Sequence, residues 1–300
     1  MRTSLLTLAA LIFSGLMVAA PDESDSALQD LKDAASKNDA AQVKKLALQV
    51  FELTNTNTPA PAPETEIDKD RVNHAREVRT QAEFALYSTA VQSEPATELD
   101  LFATLEQLNP KSKYLDDSYV YYFQALTQTG AAAKIPGIAE KALKNLPSSP
   151  DLLGALADLA AQKNQNERAV SYAQRLIAAL GKRDKSEIMP QADWQKKKTA
   201  LLGHAHLISG VVYNTQTRYY YADKELRAAL PLLKGDDAQT ATALFYLGLA
   251  NYQLGSTGMN KGQVLDAVKF SRQCAAIKGP LQDQAAHNAQ AMKNYADGMR

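Results

Sequence analysis

The segment from residue 135 to residue 176, IPGIAEKALKNLPSSPDLLGALADLAAQKNQNERAVSYAQRL, repeats one spacing of small and apolar residues after 34 positions. The two matching sets are Ile135, Ala139 and Ala142, then Ala169, Ala173 and Leu176. The same spacing occurs twice more, at Ala222, Leu226 and Ala229 and at Ala267, Ser271 and Cys274. A repeat of this length built from two helices is typical of a stacked helical solenoid, because no single unit buries its apolar face alone.

The composition fits a chain with a large helical core. It has 300 residues, of which 45% are apolar, and the long periodic runs contain few of its 14 glycines and 12 prolines. Lysine plus arginine and aspartate plus glutamate both number 33, so the formal net charge is zero. A phosphate-binding surface normally carries a clear excess of cations, so nucleic acid is disfavoured as the main partner.

Residues 1–20 are predicted to be a secretory signal peptide rather than part of the fold. Arg2 precedes an apolar run from residue 5 to residue 20, and Val18 and Ala20 fit a small-residue cleavage site. Export would place the protein in a periplasm or outside the cell. An uncleaved anchor is the alternative, although the run falls short of the ~20 residues that a spanning helix needs. Membrane contact is expected only through this segment.

The rest of the chain divides into a helical hairpin, a linker and a repeat array. Residues 21–53 carry two amphipathic helices, at 26–37 and 40–53. Residues 54–67 are rich in Pro and Thr, which favours an extended linker, with a proline-motif ligand as the alternative. Residues 68–300 are predicted to form the array, with a helix over 116–129, an insertion at 181–198 and a terminal helix over 281–299.

Several side chains are placed by their position in the repeat pattern. Cys274 stands where other repeats have Ala or Leu, so we expect a small buried residue. Tyr121, Tyr220 and Tyr221 lie off the core spacing and are expected at the surface, where an aromatic ring with a polar tip suits an interface. The charged runs at 182–183 and 196–198 indicate a solvated face.

These residues resemble a tetratricopeptide repeat (TPR) array, in which the first helix carries a Leu-Gly pair and a Tyr, and the second carries small residues beside a large one. The unit at 240–278 fits through Leu247, Gly248, Tyr252, Gly255, Ala267, Phe270 and Cys274. Four units between residues 116 and 279 match, whereas the hairpins at 68–110 and 24–53 depart from the pattern. The resemblance implies an all-α, right-handed superhelical solenoid of helical hairpins with a C-terminal capping helix.

In TPR proteins the first helices line a concave surface that holds the partner, so the resemblance implies candidate binding residues by position. They are Val120, Gln124, Gln128, Asp158, Gln162, Leu207, Val211, Asn214, Phe245, Leu249 and Tyr252. None is Lys or Arg, which argues against the C-terminal carboxylate binding known for some TPR domains. The apolar members favour a helix or an extended segment of a protein or peptide partner.

No catalytic or metal-ligating pattern stands out in the sequence. His204 and His206 are two positions apart and so lie on different faces of a helix, and neither HExxH nor CxxC occurs. We therefore predict a non-catalytic scaffold without cofactor or metal. Two alternatives stay open: an envelope hydrolase using a carboxylate pair drawn from glutamates such as Glu140 and Glu225, and a structural module that self-associates through its exposed ends.

Overall fold

The computed structural model of the protein describes residues 23–55, 65–186 and 188–299. These residues form helices joined by turns and contain no β-strand, which confirms the predicted all-α class. The predicted signal peptide at 1–20 and residues 56–64 of the predicted linker lie outside the described residues. No helix in the described ranges combines the length and the hydropathy that crossing a membrane requires.

Fourteen α-helices and two 3₁₀ turns follow one another in the described part of the chain. The α-helices are α1 Glu23–Ser36, α2 Ala40–Leu53, α3 Glu66–Ala90, α4 Pro95–Leu108, α5 Lys113–Asp116, α6 Tyr119–Gln128, α7 Ile135–Asn145, α8 Pro150–Gln162, α9 Asn166–Lys182, α10 Gln191–Thr215, α11 Tyr219–Ala229, α12 Asp237–Thr257, α13 Lys261–Ala275 and α14 Gln282–Gly298. The 3₁₀ turns are Ala132–Lys134, before α7, and Leu230–Leu232, after α11.

The helix predicted over 116–129 is confirmed as α6 but begins three residues later than predicted, because the chain turns at Asp117 and Ser118 after the short helix α5. The Ser118 hydroxyl donates to the carbonyl of Tyr114, one turn back, and satisfies a carbonyl at the end of α5. Asp117 is the C-cap of α5, and its carboxylate is tied to a distant arginine, Arg183. Local periodicity carries no information about such a partner.

Five helix pairs are joined by the same left-handed turn. Its central residues have φ between 50° and 74° and are Asn38, Gly130, Asn164, Thr217 and Met259. In each turn the next backbone N–H reaches a carbonyl five residues back, at 2.7–3.0 Å; the donors are Asp39, Ala131, Gln165, Arg218 and Asn260. This is the helix-ending arrangement in which a glycine or asparagine is favoured. The connection from α3 to α4 differs, in line with the predicted irregularity of 68–110.

Neighbouring helices pack as pairs, but not all pairs are equally close. From α7 to α14 each helix contacts the next, and α8, α10 and α12 also lie side by side. The predicted close pairing of α6 with α7 is not observed. Helix α6 packs mainly on α4 and α7 mainly on α8, and both also contact the 3₁₀ turn between them. The bulky Phe123 of α6 stands 34 positions before the small, buried Ala157 of α8, and helix separation follows side-chain size.

Helix α10 is buried on two sides and joins the two main parts of the core. Ala205, Ile208 and Val212 pack with the N-terminal cluster of apolar residues. Leu207 and Tyr213 pack with the C-terminal cluster. A helix that is apolar around most of its circumference is stable only when neighbours cover it, and here α8, α9, α11 and α12 do so.

The charged segment after α9 closes onto the turn between α5 and α6, and we call this contact the seam. Arg183 binds Asp116 and Asp117 through separate guanidinium nitrogens, at 2.7 and 2.6 Å. Ser186 donates to the second oxygen of Asp117 at 2.7 Å. The ring of Trp194, which is fully buried, lies 5.0 Å from the Arg183 guanidinium carbon. The seam therefore joins segments that the repeat pattern treats as separate.

The predicted solvated face is only partly correct. Lys182 and Lys196 are exposed, as expected. Lys197 instead forms an ion pair at 2.8 Å with Asp151, whose pKa is raised by burial despite the neighbouring ammonium. Lys198 donates to the carbonyl of Arg183 at 2.8 Å. Lys197 and Lys198 thus bind other parts of the fold instead of facing solvent.

Other predicted placements are confirmed. Tyr121, Tyr220 and Tyr221 are exposed. Cys274 is fully buried, its thiol donates to the carbonyl of Ala241 at 3.3 Å, and burial raises the pKa of the thiol. A buried thiol of raised pKa is a poor nucleophile, so the residue acts as a small core side chain.

Candidate binding face

The candidate residues predicted from sequence fall into three groups by exposure. Those open to solvent are Val120, Gln124, Gln128 and Gln162, with Val120 45% exposed. Those half-buried are Asp158, Val211, Phe245, Leu249 and Tyr252. Those buried are Leu207 and Asn214. All lie on α6, α8, α10 or α12, the helices that open the four units, and we call the exposed and half-buried set the binding face.

Leu207 and Asn214 hold helices together instead of facing a partner. Leu207 is 6% exposed and packs within the C-terminal core cluster. The Asn214 amide donates to the carbonyl of Tyr246 on α12 at 3.0 Å. Asn214 is thus held against α12, and the burial of both side chains removes them from the candidate set.

The C-terminal end of the binding face lies against the last helix. Leu249 packs beside a small cluster that includes Val268 and Met292. The Tyr252 ring meets Tyr295 of α14 edge to face, with centroids 5.5 Å apart. Helix α14 thus covers the end of the stack, which leaves Val211 and Phe245 as the apolar side chains nearest the middle of the face.

A chain of hydrogen bonds crosses three neighbouring helices on this face. His204 of α10 contacts Asp158 of α8 through Nε2, at 2.7 Å, and Gln239 of α12 through Nδ1, at 2.9 Å. Gln239 in turn donates its amide to Asp236, the N-cap of α12, at 2.7 Å. A single imidazole therefore ties the three helices together.

The geometry favours the protonated form of His204. Because the Gln239 amide nitrogen points to Asp236, its oxygen faces the ring, and Asp158 offers a carboxylate oxygen to the other ring nitrogen. Both ring nitrogens meet acceptors, and only an imidazolium donates from both. The bond to Asp158 is the largest cause that raises the pKa of His204, against partial burial.

We predict that the stabilising contribution of His204 decreases as pH rises. The folded-state pKa lies above the unfolded value of about 6.5, so the contribution is complete below that pH and is lost as pH passes the raised pKa. The free energies of unfolding of the wild type and His204→Gln, measured in urea, should differ most at about pH 5.5 and least at about pH 8.5. His287→Gln, at an exposed histidine on α14, is the control. A difference that does not change with pH would contradict the prediction.

Sequence reasoning missed His204 because it tested the histidines only for metal ligation. Among the described residues no group of three or more His, Cys, Asp or Glu side chains is arranged to hold a metal ion. His206 forms a 2.6 Å contact with Glu225, and Glu140 pairs with Arg168 at 2.9 Å. The glutamates considered for a hydrolase thus have partners of their own.

The binding face is therefore polar and uncharged on α6 and at the end of α8, ionic where Asp158 meets His204, and apolar around Val211 and Phe245. This arrangement offers hydrogen bonds and apolar contacts side by side. Comparisons of the chain with protein-family models, with curated proteins and with solved structures found no match.

Proposed function

We propose that the protein is a non-catalytic, TPR-like scaffold that binds a segment of a protein or peptide along the binding face. The observation that carries the proposal is the side-by-side packing of α8, α10 and α12, tied through His204. Side chains from three helices are held in fixed relative positions, and a rigid surface loses little conformational entropy when it binds.

The repeated turn supports the TPR-like part of the proposal. The left-handed residues Gly130 and Asn164 are 34 positions apart, the same interval as the repeat in the sequence. Gly210 and Gly248 also lie where a second helix approaches closely: a Cβ at either would meet an atom of α11 or α13 at 2.5 Å. Small residues at helix crossings are what stacked hairpins require.

The chemistry of the face indicates the kind of segment that fits. Gln124, Gln128 and Gln162 both donate and accept hydrogen bonds and so suit a polar, uncharged or backbone surface. Val211 and Phe245 suit one or two apolar anchors. The partner we propose is thus a short amphipathic segment, met in a periplasm or outside the cell if residues 1–20 direct export.

A peptide library tests the proposal without knowledge of the natural partner. Peptides displayed on phage are selected on the purified protein, and their dissociation constants are measured by calorimetry. Val211→Glu and Phe245→Glu should each weaken the selected peptides about tenfold or more, since a carboxylate then replaces an apolar anchor.

The matched control is Leu265→Glu on α13, where the leucine is 43% exposed and off the binding face. It introduces the same charge and should leave the dissociation constants unchanged. Circular dichroism checks that all three variants stay folded. Selection of no binding peptide, or equal weakening by Leu265→Glu, would contradict the proposed face.

A further inference from the structure

A second concave feature lies far along the chain from the binding face, at the N-terminal helices. It is a cleft of about 540 Å³, between α2, α3 and the turn that joins α4 to α5. Its apolar wall is formed by Phe51, Val72 and Leu108. The volume falls within the range of about 300–1,000 Å³ that is usual for small-molecule sites.

The polar wall of the cleft is cationic. Arg76 and Arg79 lie one turn apart on α3, and Lys111 follows α4. None of the three forms an ion pair with a carboxylate of the described residues. Other arginines do form such a pair: Arg183 binds Asp116, and Arg227 binds Asp223 at 2.8 Å. Because the whole chain has zero net charge, this excess is local.

Arg79 is held in place before any ligand arrives. Its Nε donates to the Thr54 hydroxyl at 2.8 Å, and Nη2 donates to the Thr54 carbonyl. Its guanidinium carbon lies 5.4 Å from the centre of the Phe51 ring. These bonds occupy one edge of the guanidinium, and Nη1 has no side-chain acceptor among the described residues. A preorganised guanidinium with an open edge suits a carboxylate or a phosphate.

The one carboxylate that lines the cleft is already engaged. Glu83 is buried, its Oε1 accepts from the Asn109 amide at 2.8 Å and its Oε2 accepts from the Ser112 hydroxyl at 2.6 Å. Both bonds fix the α4–α5 turn against α3 and so shape the cleft. With Arg76, Arg79 and Lys111 against this single carboxylate, the cleft carries a net positive charge.

We propose that this cleft binds a small organic anion, in which a carboxylate or phosphate group meets Arg76, Arg79 and Lys111 while an apolar body lies on Phe51, Val72 and Leu108. The cationic and apolar walls belong to one cavity, so a ligand that carries both features satisfies both. The site is independent of the proposed peptide-binding face, because α2 to α5 form it without α8, α10 or α12.

The test uses octanoate, octyl phosphate, inorganic phosphate and the neutral octanol as probes in calorimetric titration of the purified protein. Octanoate or octyl phosphate should bind, and octanol should bind at least about tenfold more weakly because it lacks the charge. If octanoate alone binds, the anionic group of the ligand is a carboxylate. If octyl phosphate or inorganic phosphate binds, it is a phosphate. Binding of none of the four, or equal binding of octanol, would overturn the proposal.

Variants then locate the site. Arg76→Gln and Lys111→Gln should each weaken the bound anion about tenfold, since each removes one charged donor. Both side chains lie outside the bonds that shape the cleft, so folding should be unaffected. Lys196→Gln, at a lysine 81% exposed on α10, makes the same charge change elsewhere and is the control. Equal weakening by Lys196→Gln would show only general charge attraction and overturn the assignment.

Discussion

Replacing Arg183 by methionine is expected to destabilise the protein by about 3–5 kcal/mol, because it removes a guanidinium that pairs with a buried carboxylate. Asp117 is only 1% exposed, and Arg183 approaches it at 2.6 Å. Burial of a charge is tolerated only when a partner and hydrogen bonds compensate for lost hydration, and the Arg183 guanidinium supplies part of that compensation. The free energy of unfolding, measured by urea denaturation with circular dichroism, should fall by this amount.

Two further variants make this expectation specific to the buried charge. Lys182→Met, at the exposed neighbouring lysine, should change the stability by less than about 0.5 kcal/mol. Combining Arg183→Met with Asp117→Asn should recover part of the loss, because the buried negative charge is then removed. A loss below about 1 kcal/mol for Arg183→Met would show that the seam contributes no more than a surface ion pair.

Gly255→Ala should destabilise the protein by about 3 kcal/mol, although alanine is intrinsically the better helix former. A Cβ at this position would lie 2.7 Å from the backbone nitrogen of Val264 and 2.8 Å from its Cγ2. The backbone of α13 cannot rotate away as a side chain does, so α12 and α13 must separate. Thermal and urea unfolding should both register the loss.

The comparison with Gly137→Ala tests whether the close approach is the cause. Gly137 lies in α7, and a Cβ there would have no neighbour within 4 Å. The same substitution should therefore stabilise the protein slightly, by up to about 1 kcal/mol. If both alanine variants behaved alike, helix propensity rather than crowding would govern these positions.

The helices could be predicted from the sequence because their signals are local. The small residues at intervals of four and three, the turn at Asn164 and the proline at the start of α8 all lie within the segments that they shape. The split between α5 and α6 could not be predicted in this way. Asp117 at this turn pairs with Arg183, which lies 66 residues from it along the chain.

The functional features also divide into those that local sequence patterns predict and those that depend on contacts between distant residues. Repeat position named candidates on α6, α8, α10 and α12, but it could not tell the buried Leu207 from the half-buried Val211, because contacts with neighbouring helices decide their exposure. His204 meets Asp158 across 46 residues, a pairing that no local pattern encodes. The cationic cleft likewise draws Thr54, Arg79 and Asn109 from three helices and their ends.

The position of Trp194 gives the protein a natural optical probe. It is the only tryptophan of the chain and lies wholly inside the seam, against Arg183. Its fluorescence emission therefore reports whether the boundary between the α5–α6 turn and the segment after α9 is intact. The far-ultraviolet circular dichroism signal instead sums over all helices. These two signals separate when this boundary opens before the helices melt. Cooperativity of unfolding between the segments on either side of the seam can thus be followed without any added label.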